Sequence, residues 1–113
     1  PVRLYLIGWS NSTAEPDWGI RPLFDSREAP PQLGNYSYYS NKAMDAALDR
    51  GMAETDEARR NAAYGEAQKM IWNDVPAVFL TYENNLAAVN KHLKNFRPLL
   101  DSTFEFYEAY WAE

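Results

Sequence analysis

A length of 113 residues suits one domain, and 46% hydrophobic with 24% charged residues is ordinary for a globular chain. The net charge of −5 and the lack of a Lys/Arg run argue against nucleic acid, whose phosphates reward basic faces. Disulfides and thiolate zinc sites are excluded because there is no cysteine, and no apolar run reaches the roughly 18 residues that a membrane span needs.

Residues 2–9 are rich in β-branched, aromatic and large aliphatic side chains and read as a strand. Leu4 and Leu6 on one parity and Tyr5 and Ile7 on the other are the pattern of a strand buried on both faces. The chain opens at Pro1-Val2 without an initiator Met and enters this run almost at once, so a piece of a longer protein is expected. Residues 10–17 are a loop punctuated by Asn11, Ser12, Thr13 and Pro16. Residues 18–24 read as a short helical or irregular apolar segment. Residues 25–41, with Pro30-Pro31, Gly34 and three tyrosines, form a long connection of the kind that often carries function.

Two helices follow. Asn41 is placed to cap the first, with Met44, Ala47, Leu48 and Met52 as its apolar face and Gly51 near its end. The second starts near Thr55 or Asp56 and runs to about Asn73. Ala63, Tyr64, Ala67, Met70 and Ile71 form its buried stripe, and Asp56 and Arg60 are an i,i+4 pair in the favourable order. Asp74-Val75-Pro76 stops it, because a residue before proline avoids the α region. Residues 77–82 and 86–89 read as strands around a turn at Glu83-Asn84-Asn85. Short aromatic-rich pieces, 96–100 and 104–111, complete the chain. Strand, helices and strands in this order suit an α/β or mixed α+β domain.

Several chemistries are missing. His92, the single histidine, is expected at the surface; a G-x-S-x-G elbow and a glycine-rich phosphate loop are absent. A calcium loop starting at Asn11 would need Gly and Glu where Pro16 and Pro22 stand. Glu15 and Asp17 are spaced as candidates for a carboxylate pair, although two acids two apart in a loop do not fix a facing geometry. Trp9 and Trp18 bracket a polar loop. Each suits a core anchor or a pocket wall, and Ser10, Asn11, Ser12 and Thr13 between them offer hydroxyl, amide and backbone groups to a polar ligand.

The succession "GWSNSTAEPDWGIRPLF", "NYSYYSNKAMDAAL" and "TDEARRNAAYGEAQKMIWNDVPAVFL" resembles the C-terminal part of peptide-type (family 5) solute-binding proteins of ABC importers. The Gly-Trp strand end, the acid-Pro-Asp loop, the Tyr-Ser-Asn helix start and the helix-to-strand run occur in order over nearly the whole chain. "APP" and the double Tyr before Ser-Asn look most like the glutathione-binding type.

That resemblance implies the C-terminal portion of a bilobal type II periplasmic-binding-protein fold that closes on its ligand without catalysis or cofactor. Residues 1–84 would belong to one lobe and 85–113 would return to the other, with a hinge crossing near 83–85. It implies a periplasmic (extracytoplasmic) location, a signal peptide upstream and a membrane permease as partner. Trp9 and Ser10 match pocket-lining positions of the family. Asn11, Ser12, Thr13, Asp17 and Trp18 complete the expected ligand-binding set, whereas Asn35, Tyr39 and Asp45 match positions that fix the loop and helix. In peptide-binding relatives an Asp three residues after the Trp pairs with the ligand's α-ammonium. Here that position is Ser12, which supplies no charge; this argues against an ordinary α-peptide and fits a γ-linked peptide such as glutathione, and it also fits other solutes. The competing readings are a hydrolase using Glu15 or Asp17 and an aromatic-rich protein-interaction domain. Self-association is expected of an isolated segment with uncovered apolar surface.

Overall fold

The computed structural model describes residues 4–32, 34–82, 84, 86–99 and 103–113. It is mixed helix and strand, and its contacts divide it into two units, Glu15–Phe79 and a second made of Pro1–Ala14 with Leu80–Glu113.

The first unit is helical. Helix α1 (Pro16–Phe24) begins with proline at its first position, where the missing N–H is not needed. A second proline, Pro22, removes an intrahelical donor, and the helix ends two residues later. A 3-10 turn follows at Ser26–Glu28. Helix α2 (Lys42–Ala53) is capped by Asn41, whose side chain accepts from the N–H groups of Ala43 and Met44 at 2.9 and 3.2 Å. Helix α3 (Glu57–Asp74) is capped by Asp56, which accepts from Arg59 N–H at 2.9 Å. At its other end Pro76 bars Val75 from the right-handed helical region. Val75 turns left-handed, with φ 48°, and its N–H still closes on Ile71 O.

The core is where three helical stripes meet. Ile20 and Phe24 from α1 pack with Met44, Ala47 and Leu48 from α2 and with Tyr64, Ala67 and Ile71 from α3. Gly51 is needed because α2 and α3 approach closely there. A Cβ on it would stand 2.7 Å from Tyr64 Cζ. Two details depart from the amphipathic expectation. Met52 lies one position past the stripe and is exposed, and Met70 is only partly buried at the core's edge. The expected Asp56–Arg60 pair does not form, because the Asp56 carboxylate is taken by the cap and the Arg60 guanidinium by Glu15.

Among its described residues the second unit carries two short antiparallel ladders. Strands β1 (Leu93–Lys94) and β4 (Tyr110–Trp111) pair with Leu93 opposite Trp111; β2 (Arg97–Pro98) and β3 (Phe104–Glu105) pair with Arg97 opposite Glu105. Phe96, Phe104 and Phe106 cluster beside the second ladder, with ring centroids 5.4 to 6.3 Å apart. His92 is half-buried rather than a free surface group. It stacks on Trp111 at 6.5 Å, and its Nδ1 lies 3.1 Å from Ala112 O, within reach to donate.

The strands expected at 2–9, 77–82 and 86–89 are not formed by the described residues. A strand is stable only within a ladder, and these segments pair with no strand among the described residues. Their apolar side chains stand open, with Leu4 90% and Leu86 91% exposed. Two of the three residues of the expected turn, Glu83 and Asn85, lie outside the described residues.

Candidate functional site

The polar loop belongs to the second unit up to Ala14. Its turn closes through Ala14 N–H donating to Asn11 O at 3.3 Å, and Thr13 Oγ1 donates to Asn11 Oδ1 at 3.2 Å. Ala14 then adopts left-handed backbone geometry, with φ 57°. Trp9 is 39% exposed in this chain. Ser10, Ser12 and Thr13 are exposed and Asn11 is half-buried. The structure thus brings Asn11 and Thr13 together and presents Trp9 and the two serines at the surface.

The remaining expected residues start the helical unit. Trp18 is 46% exposed on α1. Asp17, in the first turn of α1, has both carboxylate oxygens engaged. Arg21 donates to them from Nε at 2.8 Å and from its terminal nitrogen at 2.9 Å, and Tyr64 O–H donates at 3.0 Å. Asp before Arg at i,i+4, near a helix N-terminus, is the favoured orientation for both the pair and the helix dipole. Burial pushes the Tyr64 phenol up, and its hydrogen bond to Asp17 adds to this, so it remains the donor. Glu15, one residue before α1, pairs with Arg60 of α3, whose guanidinium also lies 5.5 Å from the centroid of the Tyr64 ring.

A second set of contacts fixes the long connection to the helices. Arg21 also donates to Asp25 and Asp49, and Arg27 bridges the same two acids. Asp25 is 1% exposed. Burial alone would raise its carboxyl, but hydrogen bonds from the Arg27 side chain and backbone, with the nearby charges, outweigh it and hold the group below the ordinary range. Asn35 is fully buried and has φ 37°. Its amide donates to Asp25 O and Tyr39 O, and its Oδ1 accepts from Ser37 Oγ and Tyr39 N–H. Asp45 accepts from the backbone and side chain of Ser26. Tyr39 O–H donates to Asp74 at 2.6 Å, and burial and that contact push its phenol up to about 12. Asn35, Tyr39 and Asp45 therefore fix loop and helix, as the resemblance implies. Sequence spacing exposes the Asp17–Arg21 pair. Nothing local signals Arg60 with Glu15 or Tyr64 with Asp17, which are 45 and 47 positions apart.

An apolar hollow of about 380 Å³ lies beside the end of α3, lined by Ile71, Trp72, Val75, Ala77, Val78 and Phe79, and contains none of the expected ligand residues. Among the described residues no cluster of three His, Cys, Asp or Glu can hold a metal, and no described helix is long and apolar enough to cross a membrane.

No protein-family profile matches the chain. Among curated proteins it is similar to the glutathione-binding protein GsiB of Pectobacterium atrosepticum, with 40% identity over 108 residues. It is 39% identical, over the same length, to the proteins of that name from Escherichia coli and Shigella flexneri. Each match covers 96% of this chain and 21% of the relative, so the chain spans about a fifth of the length of the proteins it matches. The resemblance to the glutathione-binding type of solute-binding protein is borne out over nearly all of the chain.

Proposed function

We propose that the chain is the C-terminal part of a bilobal, extracytoplasmic solute-binding protein of an ABC importer. It binds a small peptide such as glutathione between its lobes, without catalysis, and delivers it to a membrane permease. The observation that carries this reading is 39–40% identity sustained over 108 residues with proteins named for binding glutathione. The charge-free Ser12 adds to it, since the loop there offers a hydroxyl and no carboxylate to an ammonium. The periplasm is the location that follows.

In this proposal Trp9 and the groups of Ser10, Asn11, Ser12 and Thr13 meet the ligand, and Asp17 and Trp18 complete the set at the start of α1. Asp17 contributes through its held position, its carboxylate being bonded by Arg21 and Tyr64. Residues 1–84 are assigned to one lobe and 85–113 to the return into the other. That division describes the assembled protein, and the contacts within this chain group its residues differently. Nothing in the arrangement favours a hydrolase: Glu15 and Asp17 are each committed to a guanidinium rather than facing one another across a gap.

Trp9→Ala in the full-length protein that carries this chain tests the reading. If the ring meets ligand, affinity for glutathione should fall about tenfold or more while the melting temperature moves little. Loss of fold with unchanged affinity of the folded fraction would make Trp9 a structural residue only.

A further inference from the structure

We infer that Tyr64 is a positioning residue for ligand binding: its hydroxyl, through Asp17, sets the first turn of α1 and with it the place of Trp18. The inference rests on the function proposed above, and every contact it uses lies within the unit Glu15–Phe79. Helix α1 has nine residues, too few to hold its own shape in water, and Pro22 interrupts it. Its buried side chains, Ile20 and Phe24, anchor the middle and the end, whereas Pro16, Asp17 and Trp18 are half-buried or exposed. The N-cap residue, Glu15, makes no side-chain cap bond. Apolar packing and capping therefore leave the first turn unplaced, and polar contacts from α3 place it.

Tyr64 donates to Asp17 at 3.0 Å, and Arg60, one helical turn before it, pairs with Glu15. The two bonds that Arg21 gives Asp17 lie within α1, so they do not orient the turn against α3. Tyr64 suits this role because it is itself firmly held. It is 2% exposed, and its ring lies so near Gly51 that a Cβ there would stand 2.7 Å from Cζ. The Arg60 guanidinium lies over its face, 5.5 Å from the ring centroid. The phenol thus transmits a core position to the residue next to Trp18, whose ring is 46% exposed. Ring contacts depend on geometry, so a shift of that turn is read as lost affinity.

The test is calorimetric titration of reduced glutathione into the full-length protein that carries this chain, as wild type, Tyr64→Phe, Trp18→Ala, the double variant and Tyr39→Phe. Phenylalanine keeps the buried ring and removes only the hydroxyl, and far-UV circular dichroism confirms that each is folded. Tyr64→Phe should weaken binding about threefold to tenfold, the size of one net hydrogen bond. Trp18→Ala should weaken it at least as much. Adding Tyr64→Phe to Trp18→Ala should cost nothing further, because the two act through the same ring. Tyr39→Phe is the control. It removes a comparable phenol bond, to Asp74 at 2.6 Å at the far end of α3, and should bind as wild type. The inference is wrong if Tyr64→Phe binds normally, if the Tyr64 and Trp18 losses are additive, or if Tyr39→Phe weakens binding as much as Tyr64→Phe. A wild-type protein that ignores glutathione would overturn the inference together with the proposed function, whereas normal wild-type binding with any of those three results overturns the inference alone.

Discussion

Replacing Asn35 with alanine tests the account of the long connection most sharply. The side chain makes four hydrogen bonds in a fully buried setting, and their loss is unequal. Asp25 O still receives Glu28 N–H at 3.1 Å, and Tyr39 N–H still reaches Ser37 Oγ at 3.3 Å. Tyr39 O loses the Asn35 donor. This carbonyl is part-buried, so losing its partner costs about 1–2 kcal/mol, and the lost bonds add roughly 1 kcal/mol. Alanine must also hold the left-handed φ of 37°, which adds about 1 kcal/mol more than asparagine or glycine would require. The sum is about 3–4 kcal/mol, a large part of the stability of a small domain. For a unit the size of Glu15–Phe79 this lowers the melting temperature by on the order of 15 °C or more, read by circular dichroism at the helical band. Asn35→Gly removes the same hydrogen bonds but relieves the backbone, so it should be about 1 kcal/mol milder than Asn35→Ala. A loss under about 1 kcal/mol for Asn35→Ala would refute the idea that this amide organises the connection. Glycine faring worse than alanine would refute the backbone component.

Two further outcomes follow from the helical unit. Gly51→Ala should destabilise it by about 1–3 kcal/mol in chemical denaturation, because the added methyl meets the Tyr64 ring at 2.7 Å; a neutral or stabilising result would mean that α2 and α3 separate without loss. Asp25 has its carboxyl lowered in the fold, so its contribution is fully present above the unfolded value, near 4, and is lost as pH falls through the lower folded value. The melting temperature should therefore drop below about pH 4, and Arg27→Gln should shift that drop to higher pH. An Arg27→Gln profile superimposable on wild type would contradict the assignment.

The helical half of the chain was legible because its signals are local. Asn41 and Asp56 cap within three residues, and the stripes Met44-Ala47-Leu48 and Ala63-Tyr64-Ala67-Ile71 follow from helical spacing alone. The resemblance was equally local, carried by short strings in order. The strand expectations at 2–9, 77–82 and 86–89 rest on residue type, whereas a strand is decided by a partner that no local string specifies. The β1–β4 and β2–β3 ladders were missed for the same reason, since two-residue strands leave no alternation to read. Asp56–Arg60 was a sound spacing rule overridden by stronger claims on both groups, a cap on one side and Glu15 on the other. Of the loop, sequence showed which groups are available. It did not show that Asp17 is already bonded by Arg21 and Tyr64, because that depends on α3 lying against α1.

The most direct measurement of the central claim is calorimetric titration of the full-length protein that carries this chain, first with reduced glutathione and then with a plain α-linked dipeptide. The account predicts saturable, one-site binding of glutathione and none of the dipeptide, because Ser12 provides no carboxylate for an α-ammonium. Binding of the dipeptide with no response to glutathione would contradict it.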